Sequence, residues 1–536
     1  MISSLLHRVR LFLLILGSGT LCLGLSASGS PIGISSSESD LFFAGAIPRL
    51  QIEMDAAARD SLRKDPREYV PATVTEAATV YSNVAVHLKG SVGSFRPLDD
   101  KPALTLDFSR FENGRKFHGL RRIYLNNSVE DPSYTNEKIG SEFFQAAGAP
   151  APRVTRGLIG LNGGTPRLYV LKEGFTEDFL ERYFHNISGE LYEPGTGHDV
   201  DEKLERNSVE FPFDRNRTAL KKLADAAREN DPAQRWQKLA AALDTRQFLT
   251  FMAAEVILGH RDGYCINRNN FRVYHDLDSD KMMFFPHGMD QLLGTADLPW
   301  QPNWSGLVAQ AVISTPEGAQ GYAAVFGALL TNQFKVEKLT ARVDELVQEL
   351  RPVLDNDEFA HVKSAAEVVK DRIAKRRLSL VAQLARPTLR PLEFTAETAH
   401  PQGWEIADRP EQGSLEQTQK DGLAALHIST RSESLASWRT TVLLPRGRYT
   451  FKDRVRVANV KPLPFGVHQG ARLRIGGSVQ QTIALTGDSA WQELSTGFEV
   501  APPFAKVELV CELRAAAGEA WFDLSALQIL RTDYEN

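Results

Sequence analysis

Near residue 390 the spacing of the apolar residues changes, and that change divides the chain. Before it, over about 303–388, LTARVDELVQELRPVL and HVKSAAEVVKDRIAKRRLSLVAQLA repeat apolar residues at helical intervals. After ARPTLRPLEFTAE come WRTTVLLPRGRYTFKDRVRV, GARLRIGGSVQQTIAL, WQELSTGFEV, AKVELVCELRA and AWFDLSALQIL, short alternating stretches broken by Gly and Pro. Alternation puts apolar side chains on one face of a strand, and such strands in succession are the signature of a β-sandwich. Residues 390–536 are therefore expected to form an all-β domain, and residues 47–388 a separate domain.

The earlier domain mixes both periods. IPRLQIEMD (47–55), TVYSNVAVHLKG (79–90) and KPALTLDFSRF (101–111) alternate as strands of an antiparallel sheet do, with the turn GSVGSF between the last two. RRIYLNNSVEDPSYTNEKIGSEFFQAAGAPAPR reads as a strand, an Asn-Asn turn and a helix from about Asp131. Pro132 suits its first turn, and it ends before Gly148 and Pro150. A hairpin with an Asn-Gly-Gly turn occupies 155–175, and TEDFLERYF (176–184) opens a helix behind the Thr176 cap. Helical spacing runs from about 200 to 258, where a last apolar helix capped by Asp244 or Thr245 ends at Gly259. NNFRVYHD and KMMFFPHGMD form a further hairpin with its turn over Asp276–Asp280. The expected fold class is α+β, followed by an all-β domain.

Composition narrows the surroundings of the chain. Its 536 residues are 42% hydrophobic with a formal net charge of -5, which argues against nucleic acid or an anionic membrane as the main partner. MISSLLHRVRLFLLILGSGTLCLGLSASGS has the basic start, short apolar run and small residues of a secretory signal, taken as 1–28 with a linker over 29–46. An uncleaved anchor is the alternative. Beyond the signal only Cys265 and Cys511 remain, so a disulfide framework is not expected. The protein is read as exported to the periplasm, the cell surface or the medium.

Chemistry concentrates in HRDGYCIN, 260–267. Asp262 follows a helix end, and Asn267, Asn269 and Asn270 crowd the loop after it; Asp and Asn supply the oxygen donors that suit Mg²⁺, although they also make ordinary turns. Asp290 ends an apolar strand 28 residues after Asp262, far enough for the hairpin to return to the same loop. A transition-metal site built on His260, His275 and His287 is the rival, and their spacing fits no usual ligand motif. Lys101 opens a strand after the Gly-Ser loop, where a Lys can neutralise phosphate oxygens; Lys89, at the strand end before the loop, competes with it. Glu173 ends RLYVLKE just before a helix, placed to pair with that Lys or to contact a nucleotide, although a solvated Glu is the commoner use of such a position. Trp438, Trp491 and Trp521 lie on alternating strands, where packing is the commoner use of a Trp, and no sugar site is assigned to them.

KGSVGSF…KPALTLDF, YLNN…DPSYTNEKIGSEFFQAAGAPAPR, LYVLKEGFTEDFLERYF, HRDGYCINRNNFRVYHD and FFPHGMDQLLG occur in the order found in the spore-coat protein H (CotH) kinase family, which the chain resembles over roughly 45–385. The resemblance implies an atypical protein-kinase-like domain that uses ATP with Mg²⁺ or Mn²⁺ to phosphorylate Ser or Thr of a secreted or surface protein. It places the family's strand Lys on Lys101, its strand-end Glu on Glu173 and its catalytic Asp on Asp262. The metal-binding Asn falls on Asn267, with Asn270 the alternate, and the last metal Asp falls on Asp290. Family members often read Pro-Trp-Asp-x-Asp where this chain has Pro286-His287-Gly288-Met289-Asp290, so one acid is missing. That departure keeps two alternatives open: a catalytically degenerate coat or envelope protein, and transfer of AMP from ATP. The C-terminal region resembles carbohydrate-binding modules, which implies a glycan contact.

Overall fold

A computed structural model describes residues 41–42, 47–91, 93–202, 217–385, 391–463 and 469–532. The expected signal, and the linker except residues 41–42, lie outside them. The chain divides into two compact units, Met1–Arg386 and Pro387–Asn536.

The first unit begins with seven strands, β1 (Arg49–Glu53), β2 (Val70–Glu76), β3 (Thr79–Lys89), β4 (Ala103–Asp107), β5 (Arg122–Asn126), β6 (Val154–Leu161) and β7 (Arg167–Glu173). They close into a barrel in the order β1-β2-β3-β4-β5-β7-β6. Every ladder is antiparallel except the one between β1 and β6, so the expected antiparallel sheet is closed by one parallel pair. Alternation decides what fills it: Val84, Val86 and Leu88, Leu104 and Leu106, Ile123 and Leu125, and Tyr169 and Leu171 share one core. The residues between them project from the other face, and the site is built from those.

Helix α1 (Ala56–Lys64) joins β1 to β2. Helix α2 (Asn136–Ala146) starts later than the expected Asp131, because the buried Asp131 carboxylate accepts Ser133 N at 3.1 Å and Asn136 N at 2.8 Å. Asp131 shapes a turn ahead of the helix instead of opening it. The helix expected over 176–184 is the single turn α3 (Glu177–Leu180). Strand β8 (Leu191–Tyr192) pairs with the later hairpin, and α4 (Thr218–Ala227), α5 (Pro232–Ala242) and α6 (Thr245–Ile257) follow. Apolar residues surround α6, which is why it runs through the core; Asp244 caps it by accepting Gln247 N at 3.0 Å. Next come α7 (Tyr264–Asn267), the hairpin β9 (Phe271–Asp276) and β10 (Lys281–Pro286), and then α8 (Leu307–Ile313), α9 (Pro316–Asn332), α10 (Val336–Gln348) and α11 (Asn356–Ala385).

The second unit is all β: β11 (Thr398–Ala399), β12 (Glu405–Asp408), β13 (Gly413–Lys420), β14 (Leu423–Thr430), β15 (Ser434–Lys461), β16 (Gly470–Ile475), β17 (Gly487–Ala515), β18 (Ala517–Asp523) and β19 (Gln528–Thr532). Strands β15 and β17 run antiparallel along one another, with a register shift at Pro445/Gly447. Leu426, Trp438, Phe451, Val455, Leu509, Cys511 and Phe522 lie in its core. Trp438 is buried and donates Nε1 to His427 O at 3.1 Å. Trp521 stacks on His427 at 4.8 Å between ring centres, with the Lys420 ammonium 4.1 Å from its ring, and Trp491 donates to Asp421 Oδ2 at 2.9 Å. Cys265 and Cys511 are buried and free. No helix among the described residues is long and apolar enough to cross a membrane.

Arg376 of α11 ties the helical part together. Fully buried, it donates to Val256 O, Ile257 O, Ala296 O and Leu298 O, and burial pulls its guanidinium down to about 10. Arg376→Leu leaves these carbonyls without that donor and is expected to destabilise the chain by at least about 3 kcal/mol, read from the shift of its denaturant unfolding midpoint.

Candidate active site

The outward-facing residues of neighbouring barrel strands form a polar patch. On β3 the residue after Leu88 is Lys89; on β5, Tyr124 and Asn126 alternate with the core residues Ile123 and Leu125; on β7, Lys172 follows Leu171. Ladder registry sets Tyr124 opposite Lys172 and Lys89 opposite Ala103. Lys89 Nζ donates to Asn126 Oδ1 at 2.5 Å and lies 4.9 Å from the centre of the Tyr124 ring. Burial first, and the Lys172 charge second, bring its ammonium down to about 7, against the pull of Glu137 and Asp290.

Helix α2 meets this patch with its first two residues. Lys172 Nζ donates to both oxygens of Glu137, at 3.2 and 3.3 Å, and the two side chains are 0% and 2% exposed. Asn126 Nδ2 donates to Glu137 Oε1 at 3.1 Å. Asn136, one residue earlier, donates Nδ2 to Asp290 O at 2.7 Å, while its buried Oδ1 has no hydrogen-bond partner. Asp290 is raised to about 6, by burial first and by the Glu137 charge second, with Lys172 and Lys89 opposing. His287 stays neutral because burial, Lys172 and Arg272 push its imidazole well below the ordinary value.

The loop from His260 to Asn270 closes against the Asp290 segment. Asn267 Nδ2 donates to Asp262 Oδ1 at 2.6 Å, and Asn269 and Asn270 donate to Asp262 Oδ2 at 2.9 and 2.7 Å. His260 Nε2 donates to His287 O at 3.0 Å, and His287 N donates to Asn270 O at 2.9 Å. Gly288 has φ +52°, and a Cβ there would stand 2.2 Å from Asn270 Oδ1. Only a glycine permits this contact between the Asn270 amide and the backbone two residues before Asp290. Tyr264 anchors the loop from behind: its hydroxyl donates to Asp199 Oδ1 and accepts Val308 N, each at 3.0 Å.

Of the expected residues, Asp262, Asn267 and Asn270 meet directly, and the backbone at Gly288, two residues before Asp290, packs against Asn270. Lys101 and Glu173 lie elsewhere. Lys101 Nζ donates to Tyr134 OH at 2.6 Å and lies 5.2 Å from the centre of the Tyr169 ring, beside a surface cavity lined by Arg59, Arg63, Arg167 and Tyr169. Glu173 is fully buried and paired with Arg153 and Arg182, on the face that carries Tyr169 and Leu171. The residues that do face Asp290, namely Lys172, Glu137 and Asn136, carried no sequence signal beyond the parity of their strand and the start of their helix. The three histidines do not converge, since His275 pairs with Asp280 at 2.9 Å; no group of three His, Cys, Asp or Glu able to hold a metal ion occurs among the described residues.

A family model described as CotH kinase protein matches residues 86–380. Among curated relatives, the inner spore coat protein H of Bacillus subtilis is 20% identical over 268 residues, covering 46% of this chain and 73% of that protein. Invasin CotH2 of Rhizopus delemar is 23% identical over 267 residues, covering 46% of this chain and 44% of that protein. Among solved structures, the Helicobacter pylori proinflammatory kinase CtkA aligns over 55% of this chain and 95% of its own, at 10% identity and a TM-score of 0.26. A family 35 carbohydrate-binding module of Clostridium thermocellum aligns over 24% of this chain and 90% of its own, at 17% identity and a TM-score of 0.17.

Supplying an acid at position 288 is expected to harm the site. Gly288→Asp places a side chain in left-handed backbone and displaces Asn270, at a cost of about 2 kcal/mol or more. Thermal unfolding is expected to show the loss, and titration with Mn²⁺ to show affinity no higher than in the parent.

Proposed function

The chain belongs to the CotH kinase protein family, and from that premise we propose that it transfers the γ-phosphoryl group of ATP to a Ser or Thr of a secreted or surface protein. The observation that carries the reading is the convergence of a buried Lys172–Glu137 pair, a second lysine at Lys89 and the Asp290 segment on one patch, with the Asp262 loop joined to it at Gly288. Phosphoryl transfer needs charge neutralisation and alignment more than covalent help from the protein. In this proposal Lys89 and Lys172 take the phosphate role expected of Lys101, and Glu137 takes the pairing role expected of Glu173. Asp262 orients the acceptor hydroxyl and receives its proton.

In this proposal Mg²⁺ or Mn²⁺ would be held by side-chain oxygens of Asp262, Asn267, Asn270 and Asp290, donors of the kind that suit such ions, with the unpartnered Asn136 Oδ1 beside Asp290 O. When bound, such an ion would supply positive charge to offset the phosphate oxygens. A coat-associated or extracellular place belongs to the same proposal, supported by relatives that are a spore coat protein and an invasin. A glycan contact through the second unit stays outside it, because Trp438 and Trp521 are engaged within that unit. One observation favours the degenerate alternative: both Asp262 oxygens are taken by Asn amides.

Purified protein incubated with γ- or α-labelled ATP and Mn²⁺ is expected to incorporate label only from the γ position. Asp262→Ala and Asp290→Ala are each expected to lower incorporation at least about 100-fold. Label from the α position would mean AMP transfer, and none from either would leave the degenerate reading.

Nucleotide affinity is also expected to depend on pH. With Lys89 lowered to about 7, its positive charge is complete below that pH and lost above it. ATP affinity is therefore expected to fall about tenfold between about pH 6 and 8, and calorimetric titration of Lys89→Met is expected to show a weaker, flatter profile.

A further inference from the structure

Glu255 of α6 is fully buried, and among the described residues no Lys or Arg pairs with it. Burial pushes its carboxyl above the ordinary carboxylate range, and the donors that meet it are the Cys265 thiol and two backbone amides. Tyr264 N donates to Oε1 at 3.1 Å and Cys265 N to Oε2 at 3.0 Å. Those amides open α7. Gly263 lets the chain pass directly over it, since a Cβ there would stand 2.5 Å from Oε1. His260 N in turn donates to Glu255 O at 2.9 Å. Asp262 lies between these held points, and Asn267, at the far end of α7, donates to its carboxylate.

We infer that Glu255 is a positioning residue: by holding the Tyr264 and Cys265 amides it sets where Asp262 and Asn267 stand, without itself touching substrate. The inference rests on the transfer reading above. A residue that merely filled space could be replaced by its isostere, whereas Glu255→Gln keeps the volume and turns an amide NH₂ toward one of the two backbone donors. Glu255→Asp keeps the carboxyl group but shortens the reach.

The test uses the full chain and reads hydrogen exchange at Tyr264 and Cys265 together with kcat and KM for ATP. In Glu255→Gln, exchange at one or both amides is expected to accelerate about tenfold or more. Its kcat is expected to fall about 10- to 100-fold while KM for ATP changes by less than about threefold. Glu255→Asp is expected to fall between Gln and parent, and it serves as the readout if Gln fails to fold. Unchanged exchange at both amides, or a loss carried by KM with kcat intact, overturns the inference. If the parent transfers no phosphate, the transfer reading falls on its own, and the exchange rates alone decide the Glu255 inference.

Discussion

Lys172 and Glu137 form an ion pair with almost no contact with water, and three parts of the first unit meet there. Lys172 belongs to the barrel, Glu137 opens α2, and Asn136 beside it grips the backbone of Asp290. Desolvating two charges is expensive, and the attraction offsets that cost only with close geometry and further hydrogen bonds, which Asn126 helps to supply. Losing either partner strands the other, at about 3–5 kcal/mol. The pair thus belongs to the fold as well as to the candidate site, because it ties the start of α2 to β7.

Much of the architecture followed from residue spacing. The hairpins over 155–175 and 269–290, the Asp244 cap and the change of pattern near 390 rest on local rules that packing does not override: turn residues, side-chain capping and alternation. Closure of the barrel did not follow, because the parallel β1–β6 pairing joins segments about a hundred residues apart and leaves no mark in either. The start of α2 was misread because Asp131 looks the same whether it caps a helix or ties a turn to Asn136 N.

The geometry of the candidate site was legible where it is local and obscure where it depends on parity. Asp262 and its asparagines lie within nine residues, so the loop brings them together whatever the rest does. Glu173 and Lys172 differ by one position, and one position on a strand is the difference between the core face and the face turned to α2. RLYVLKE does not say which face its last residues take; the registry of β7 with β5 does. The same holds for Lys89 and Lys101, which flank one loop at two strand ends. Lys89, opposite Ala103 in the ladder, reaches Asn126, whereas Lys101 settles against two tyrosines.

The charge on the patch is uneven. Lys172 is matched by Glu137 and Arg272 by Glu193, and His287 is neutral. Lys89 has an amide oxygen and a tyrosine ring but, among the described residues, no carboxylate within ion-pair distance. Glu137 and, after it, Asp290 are the acids whose charges still favour the Lys89 ammonium, and burial works against the Asp290 charge. Such a lysine is held partly discharged by its surroundings. A phosphate group would reverse this by supplying the missing negative charge, so the feature that makes Lys89 costly to the empty fold is the one that would tie its protonation to binding.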